Sequence, residues 1–518
     1  MKILRHSLAS VTRYKKRVAA LSVLLVTTSI TPYSFANTLT NNELHLSHQK
    51  KILKPHLSPQ QEQHMATISK ERAEEREKSI IADKKMASIY TAWPLLPTTT
   101  KRNQLTRTTD PSKSDNLFGD WWGMRSYLEK NGIGLSVNYL GEMAANVSGG
   151  MRKGADYAGQ VSAAIDLNWE TLIGWKGFSS HVLFMNRSGR PAGRDYVGDS
   201  IFNENEIYGA GGNVVAHLAY AYVQQMLWKN RIGIIAGRTG AAVYFNSSPI
   251  YCHFLSFGMC PTPRTITGGS SNAFVMPPQH NWAAFTGLTL PYNTYIRTGI
   301  SAVGGQLGGH SGFNWSNHGV NGVMIPAEIG WTPSYGKNKN PIHLKAGFYG
   351  STASAPDVAV NTTGQILAIR GGDAQQHRGY FAEWAGGDVM LLRHGSDPDE
   401  GLILFADYTH TNNKISIYQD MGLIGFEDRG FWKKRPLDSA GLMFIYSKQS
   451  QWLQNRLSDD PRTAKMAQSH TSIIELQYGL HAMRGIVIVP DFQYVFRPGG
   501  AGRYNDAAVL GLRLQAAL

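Results

Sequence analysis

The 518-residue sequence predicts an all-β fold: a transmembrane antiparallel β-barrel of about 16 strands with an N-terminal helical or disordered extension. Three observations carry that expectation. From Leu117 onwards apolar and polar residues alternate with a period of two, the mark of strands with one apolar and one polar face. Beyond the leader no run approaches the ~20 apolar residues of a spanning helix. The mean hydropathy of −0.26 excludes a polytopic helical protein, but not a barrel, whose alternation averages out. Finally, only 17% of residues are charged and glycine takes 54 positions, a composition too poor in helix formers for a helical bundle.

Residues 1–36 read as a signal peptide. Lys2, Arg5, Arg13, Lys15, Lys16 and Arg17 form a basic start, Val18 to Ile30 is a short apolar stretch, and Ser34-Phe35-Ala36 supplies small residues for cleavage after Ala36. Losing those six basic residues lowers the net charge from +14 to +8. Much of the basic excess is therefore addressing information, and with no basic cluster interleaved with stacking aromatics, no nucleic-acid partner is expected.

Residues 37–115 are expected to be a periplasmic extension, partly helical or disordered. Glu71, Glu74, Glu75 and Glu77 lie among Lys70, Arg72, Arg76 and Lys78 in SKERAEEREKSIIADKK (Ser69 to Lys85), placing opposite charges at helical spacing. Met65, Ile68, Ile80 and Ile81 make no sustained heptad seam. A solvated helix or spacer is the plainer reading, and a tether or oligomerisation helix is the rival.

Residues 116–518 are expected to form the barrel domain. Ile133, Leu135, Val137, Tyr139 and Met143 oppose Ser136, Asn138 and Glu142, and Val161, Ala163, Ile165, Leu167 and Trp169 oppose Ser162, Asp166 and Asn168. The split recurs at Ile342 to Tyr349, Leu402 to Thr409, Ile474 to Tyr478 and Ile486 to Phe496, and Leu510, Leu512, Leu514 and Leu518 oppose Arg513 and Gln515. A soluble sandwich makes the same pattern. The export signal, aromatics at strand ends and a last strand running to the terminus favour an outer-membrane barrel, whose closure leaves no unpaired edge in hydrocarbon. Gly304 to Gly322 reads as one of its loops. These residues hold roughly sixteen strands of about ten residues, a size that encloses a water channel rather than a packed core.

The chain's two cysteines, Cys252 and Cys260, lie eight residues apart. An even, close pair in an exported protein reads as a disulfide. A metal site with His253 is the rival but lacks four ligands of recognisable spacing, and a catalytic thiol is weaker still.

Five segments together carry a family resemblance: GDWWGMR (Gly119 to Arg125), LIGWKG (Leu172 to Gly177), PIYCHFLSFGMC (Pro249 to Cys260), PDFQYVFRPGG (Pro490 to Gly500) and AVLGLRL (Ala508 to Leu514). The sequence resembles the carbohydrate-selective porins of the OprB family, including the forms found in acetic acid bacteria, over about four fifths of its length. The resemblance implies a sixteen-stranded outer-membrane barrel through which sugars diffuse down their gradient, working as a monomer or homotrimer. Two departures stand out. Trp121-Trp122-Gly123 replaces one Trp followed by two Gly, and Leu518 replaces the aromatic common at the end of outer-membrane barrels.

No nucleophile elbow, P-loop, zinc-protease helix or paired CxxC site occurs, so neither catalysis nor a cofactor is expected. GAGGN (Gly209 to Asn213) is a turn. His377, His394 and His410 fit loop and strand-end positions better than a metal ligand set. SDPDEG (Ser396 to Gly401) is a solvated turn, with calcium binding as the alternative.

A sugar pore needs hydrogen-bonding groups in a narrow lumen, held weakly enough to let the solute leave. Strand phase turns Glu142, Asp166, Asn168, Lys345, Asp407, Glu475, Asp491, Gln493 and Arg513 inward. NRSGRPAGRD places Arg187, Arg190, Arg194 and Asp195 together as a candidate constriction, since planar guanidinium donors and carboxylate acceptors suit hydroxyls. Monosaccharides such as glucose, with polyols and sugar acids beside them, are the expected solutes. The expected surroundings are the Gram-negative outer membrane with its lipopolysaccharide, reached through the barrel assembly machinery. A general porin or a structural envelope protein is the alternative.

Overall fold

Period-two alternation becomes strands that hydrogen-bond to both neighbours and close on themselves. The computed structural model describes residues 116–518 except 200, 203, 206–212, 268–272, 306–308, 337–339 and 395–399. The expected signal peptide, the expected extension with its charged stretch, most of GAGGN and most of the expected acidic turn lie outside the described residues. Strands β1 (Ile133–Gly150), β2 (Gly154–Asn168), β3 (Phe178–Gly189), β4 (Val214–Leu227), β5 (Ile232–Thr239), β6 (Asn281–Leu290), β7 (Thr294–Gly304) and β8 (Val320–Trp331) follow in order. After the two-residue β9 (Ser334–Tyr335) come β10 (Asn340–Asn361), β11 (Ala374–Arg393), β12 (Gly401–Thr411), β13 (Tyr418–Arg429), β14 (Ser439–Gln449), β15 (His470–Met483), β16 (Ile486–Phe496) and β17 (Asn505–Ala517). Each long strand pairs antiparallel with its sequence neighbours, β8 pairs β10, and β17 returns to β1. Setting β9 aside, this is a closed barrel of 16 strands, with no helix among the described residues long and apolar enough to cross a membrane.

Along β17, Leu512 is 43% exposed and Leu514 39%, while Arg513 between them is fully buried. The same split places Ile165, Ile296, Phe348, Ile424, Phe444 and Leu476 outside. Such an apolar outer face belongs in lipid, with the polar face inward.

The two ends of the barrel differ. One carries short turns such as 228–231, 291–293 and 484–485, and the other carries long connections such as 190–213, 240–280 and 450–469. Around the short-turn end stand Trp175, Trp228, Tyr292, Trp331, Phe431 and Trp432, all exposed, as in an interfacial aromatic girdle. At this end residues 116–130 brace the closing seam. Leu117 N–H donates to Ala517 O at 2.7 Å, and Arg125 Nη2, stacked over Trp121, donates to Leu518 O at 2.6 Å. GDWWGMR is thus a seam fastener: Trp121 and Trp122 take left-handed backbone (φ 48° and 57°) so that the chain turns sharply towards Arg125.

The connection 240–280 does not stay outside. Its described residues turn into the barrel, where Tyr244, Phe245, Phe257 and Phe274 pack on Tyr222, Phe285, Tyr349 and Trp384. On the other side Tyr251, Phe254 and Met259 pack on Phe405, Met443, Ile445 and Ile473, joined there by Phe202.

Candidate permeation pathway

An inward-folded connection brings backbone N–H and C=O groups into a dry interior, where each needs a partner. Inward-facing side chains supply them. Arg513 donates to Glu142 Oε1, Cys252 O and Phe254 O, each at 2.7 Å. Glu475 accepts from Leu255 N at 2.5 Å and Ser256 N at 3.2 Å. Asp407 accepts from Asn246 Nδ2 and Tyr251 Oη, both at 3.0 Å. Lys345 Nζ donates to Ser247 O at 2.8 Å. Asp491 Oδ1 accepts from Gln493 Nε2, which also donates to Glu204 O. All seven side chains are buried on the inner face. What they meet is protein, so their first role is to pin loops rather than to line open water.

Cys252 and Cys260 are joined as a disulfide within the pinned segment. The strand patterns do not reveal that this segment enters the barrel, nor that Glu328, Glu427 and Arg297 hold it. Asn246 N donates to Glu328 Oε2, His253 Nδ1 meets Glu427 Oε2 at 2.7 Å, and Arg297 Nη1 donates to Tyr244 O. The available signal was compositional: PIYCHFLSFGMC is too apolar for a solvated loop.

The arginine segment separates into two groups. Arg190 and Arg194 both pair with buried Asp195, at 2.6 and 3.0 Å, leaving their side chains 66% and 58% exposed at the long-connection end. Burial raises the Asp195 carboxyl, but hydrogen bonds and charge from Arg194 and Arg190 outweigh it and hold the group below the usual range. Arg187 is not part of that cluster. Lower on β3, its Nε donates to Gln160 Oε1 at 2.6 Å, because the two are register partners across β2 and β3.

Asn168 is also used differently from the inward role its phase suggests. At the end of β2 its side chain accepts from Glu170 N and Thr171 N and caps the helix Trp169–Ile173. Asp166, two residues earlier, faces inward and takes His181 Nδ1 at 2.5 Å, while His181 Nε2 meets Ser179 Oγ at 2.9 Å. The connectivity matches a nucleophilic triad. However, Ser179 and His181 lie in β3, whose backbone is paired on both sides with β2 and β4, so their N–H groups serve the ladder rather than an oxyanion. The arrangement instead fixes the imidazole tautomer and the direction of the Ser179 hydroxyl.

His377, His394 and His410 each pair with a different aspartate, Asp357, Asp428 and Asp420. Among the described residues no group of three or more His, Cys, Asp or Glu side chains is placed to hold a metal.

Comparison with known proteins fits this architecture. Residues 152–518 match the family model described as carbohydrate-selective porin, OprB family. Porin B of Pseudomonas aeruginosa is 27% identical over 420 residues, covering 77% of this chain and 90% of that protein. A putative porin, QuiX, of Acinetobacter baylyi is 24% identical over 427 residues, covering 77% and 92%. The high-pH structure of Pseudomonas putida OprB superposes with a TM-score of 0.71 at 25% identity, covering 78% of this chain and 99% of that one. These relatives are channels and not enzymes. With a closed sixteen-stranded barrel, a polar inner face and a family match across most of its length, the chain belongs to the OprB family of carbohydrate-selective porins.

Proposed function

We propose that this porin passes monosaccharides such as glucose by passive diffusion, with polyols and sugar acids as further solutes, from the outside of a Gram-negative cell into the periplasm. The observation that carries the reading is the filled lumen. Segment 240–280, pinned to the inner wall by Arg513, Glu475, Asp407 and Lys345, narrows a barrel whose strand number alone would leave a wide pore. A narrow passage with polar walls lets a solute exchange some hydrogen bonds with water for others with protein. In this reading residues 1–36 are removed after export, and the assembly machinery inserts the barrel with its short turns periplasmic and its long connections among lipopolysaccharide. The protein works as a monomer or homotrimer.

Liposome swelling tests this with the refolded mature protein and glucose, a disaccharide, an amino acid of similar size and gluconate. Sugars are expected to enter faster than the amino acid. Equal entry of all small solutes marks a general porin, and no swelling from folded, inserted protein overturns the transport reading.

A further inference from the structure

Inward-facing groups are not equally accessible around the ring. On β12 to β17 nearly all of them are buried: Asp407, Glu475 and Arg513 against segment 240–280, Thr471 and Gln493 against Asp199 and Glu204, and Ser447 beside them. On β1 to β3, by contrast, Asn138, Gln160, Ser162, Ser179, Met185 and Arg187 stay partly accessible. Elsewhere on the inner face, accessible polar groups such as His343 and Asp388 sit near the short-turn end. Water able to run the length of the barrel therefore has one polar wall beside it.

We infer that permeating solutes track the β1–β3 wall, meeting the Arg187–Gln160 pair above and the Ser179–His181–Asp166 relay below, instead of crossing the carboxylates of β12 to β17. The inference rests on the channel reading and adds its route. The wall is continuous in register. Arg187 faces Gln160, Ser162 faces Asn138 on one side and Met185 on the other, and Asp166 faces His181. Its top opens beside exposed Arg190 and Arg194.

The relay has a chemical consequence at the lower station. With His181 Nδ1–H donating to Asp166, Nε2 accepts a hydrogen bond from the Ser179 hydroxyl, which leaves the Ser179 oxygen lone pairs to accept from a solute hydroxyl. Above, the Arg187 guanidinium offers donors and the Gln160 amide offers both kinds of group. Together they present a polyhydroxylated solute with an acceptor at one station and donors at the other, each weak enough to release it.

The route is testable because both native cysteines are bonded to each other, so a new cysteine is the sole reactive thiol. Ser162→Cys and Asn138→Cys place one on the proposed wall, and Ser447→Cys places one on the covered wall. Each protein, inserted in a planar bilayer, is exposed to an anionic methanethiosulfonate reagent, with the wild type as control. Modification at 162 or 138 is expected to remove at least half of the single-channel conductance and of glucose-driven swelling, while Ser447→Cys stays unmodified by mass. Conductance unchanged after verified modification at 162 and 138, or block through 447, overturns the route while leaving the channel reading standing. A wild type that conducts nothing and swells no liposome overturns the channel reading itself.

Discussion

Arg513 shows how much one side chain holds. Its guanidinium joins Glu142, its register partner across the seam that closes the barrel, to two carbonyls of the inward segment, with side-chain exposure of 1%. A planar fork with five donors suits three acceptors in fixed directions, and lysine does not replace it. Arg513→Ala leaves Glu142 charged and buried without its cation, a change that costs about 3–5 kcal/mol when a buried pair is broken from one side. The thermal transition of the detergent-solubilised barrel, followed by circular dichroism, is expected to fall, and single-channel conductance is expected to rise as Cys252 and Phe254 lose their anchor. An unchanged transition would show that the pair contributes nothing net. Strand phase alone turns Arg513 and Glu142 inward. The attachment of Arg513 to residues some 260 positions away was not legible, because period two reports which face a residue is on and not what approaches that face.

At the scale of elements, the strands were readable and the connections were not. Strand residues repeat one environment, lipid on one side and lumen on the other, so each reinforces the same pattern. Segments 190–213 and 240–280 follow no period, since each of their described inward residues answers to whichever wall it touches. Segment 193–205 illustrates this with buried acids. Asp199 accepts from Ile201 N and Phe202 N through Oδ1 and from Thr471 through Oδ2, which fastens the segment to β15. Burial raises Asp199 to about 6 despite these bonds. Glu204, fully buried, is pushed well above the usual range by burial and by the charges of Asp199 and Glu475. Both groups bind protons more tightly folded than unfolded, so their contribution is fully present below the ordinary carboxylate range and is lost as pH rises above it, through about 6 for Asp199. Protection factors of the described residues between 193 and 205, which divide out the base-catalysed intrinsic exchange rate, are therefore expected to be larger at pH 4.5 than at pH 7.5. Glu204→Gln, which keeps the shape without the charge, is expected to flatten that difference. An identical pH response in the variant would assign the effect to another group.

The whole molecule closes without its first 115 residues. β1 reaches both β2 and β17, and every long strand between has two partners, so the ladder needs nothing upstream of Ile133 to be complete. What it does use is the short segment beginning at Asn116, which lies across the seam. Leu117 N donates to Ala517 O, Arg125 Nη2 to Leu518 O, and Leu518 N to Val137 O. Such bonds matter most where the last strand of a barrel meets the first, because a seam that frays exposes unpaired backbone to hydrocarbon. They also give Leu518 an anchor that does not depend on an aromatic side chain. Two deletions separate the extension from the fastener. With residues 1–36 retained for export, removal of 37–115 is expected to leave folded yield and glucose swelling at wild-type levels, since all the seam bonds survive. Removal of 37–132 is expected to lower the fraction of heat-modifiable, folded barrel on gel electrophoresis severalfold, because both fastening bonds are lost. Equal yields from the two would show that the seam closes on strand pairing alone. Loss of swelling in the shorter deletion, with folding intact, would instead make the extension part of the channel.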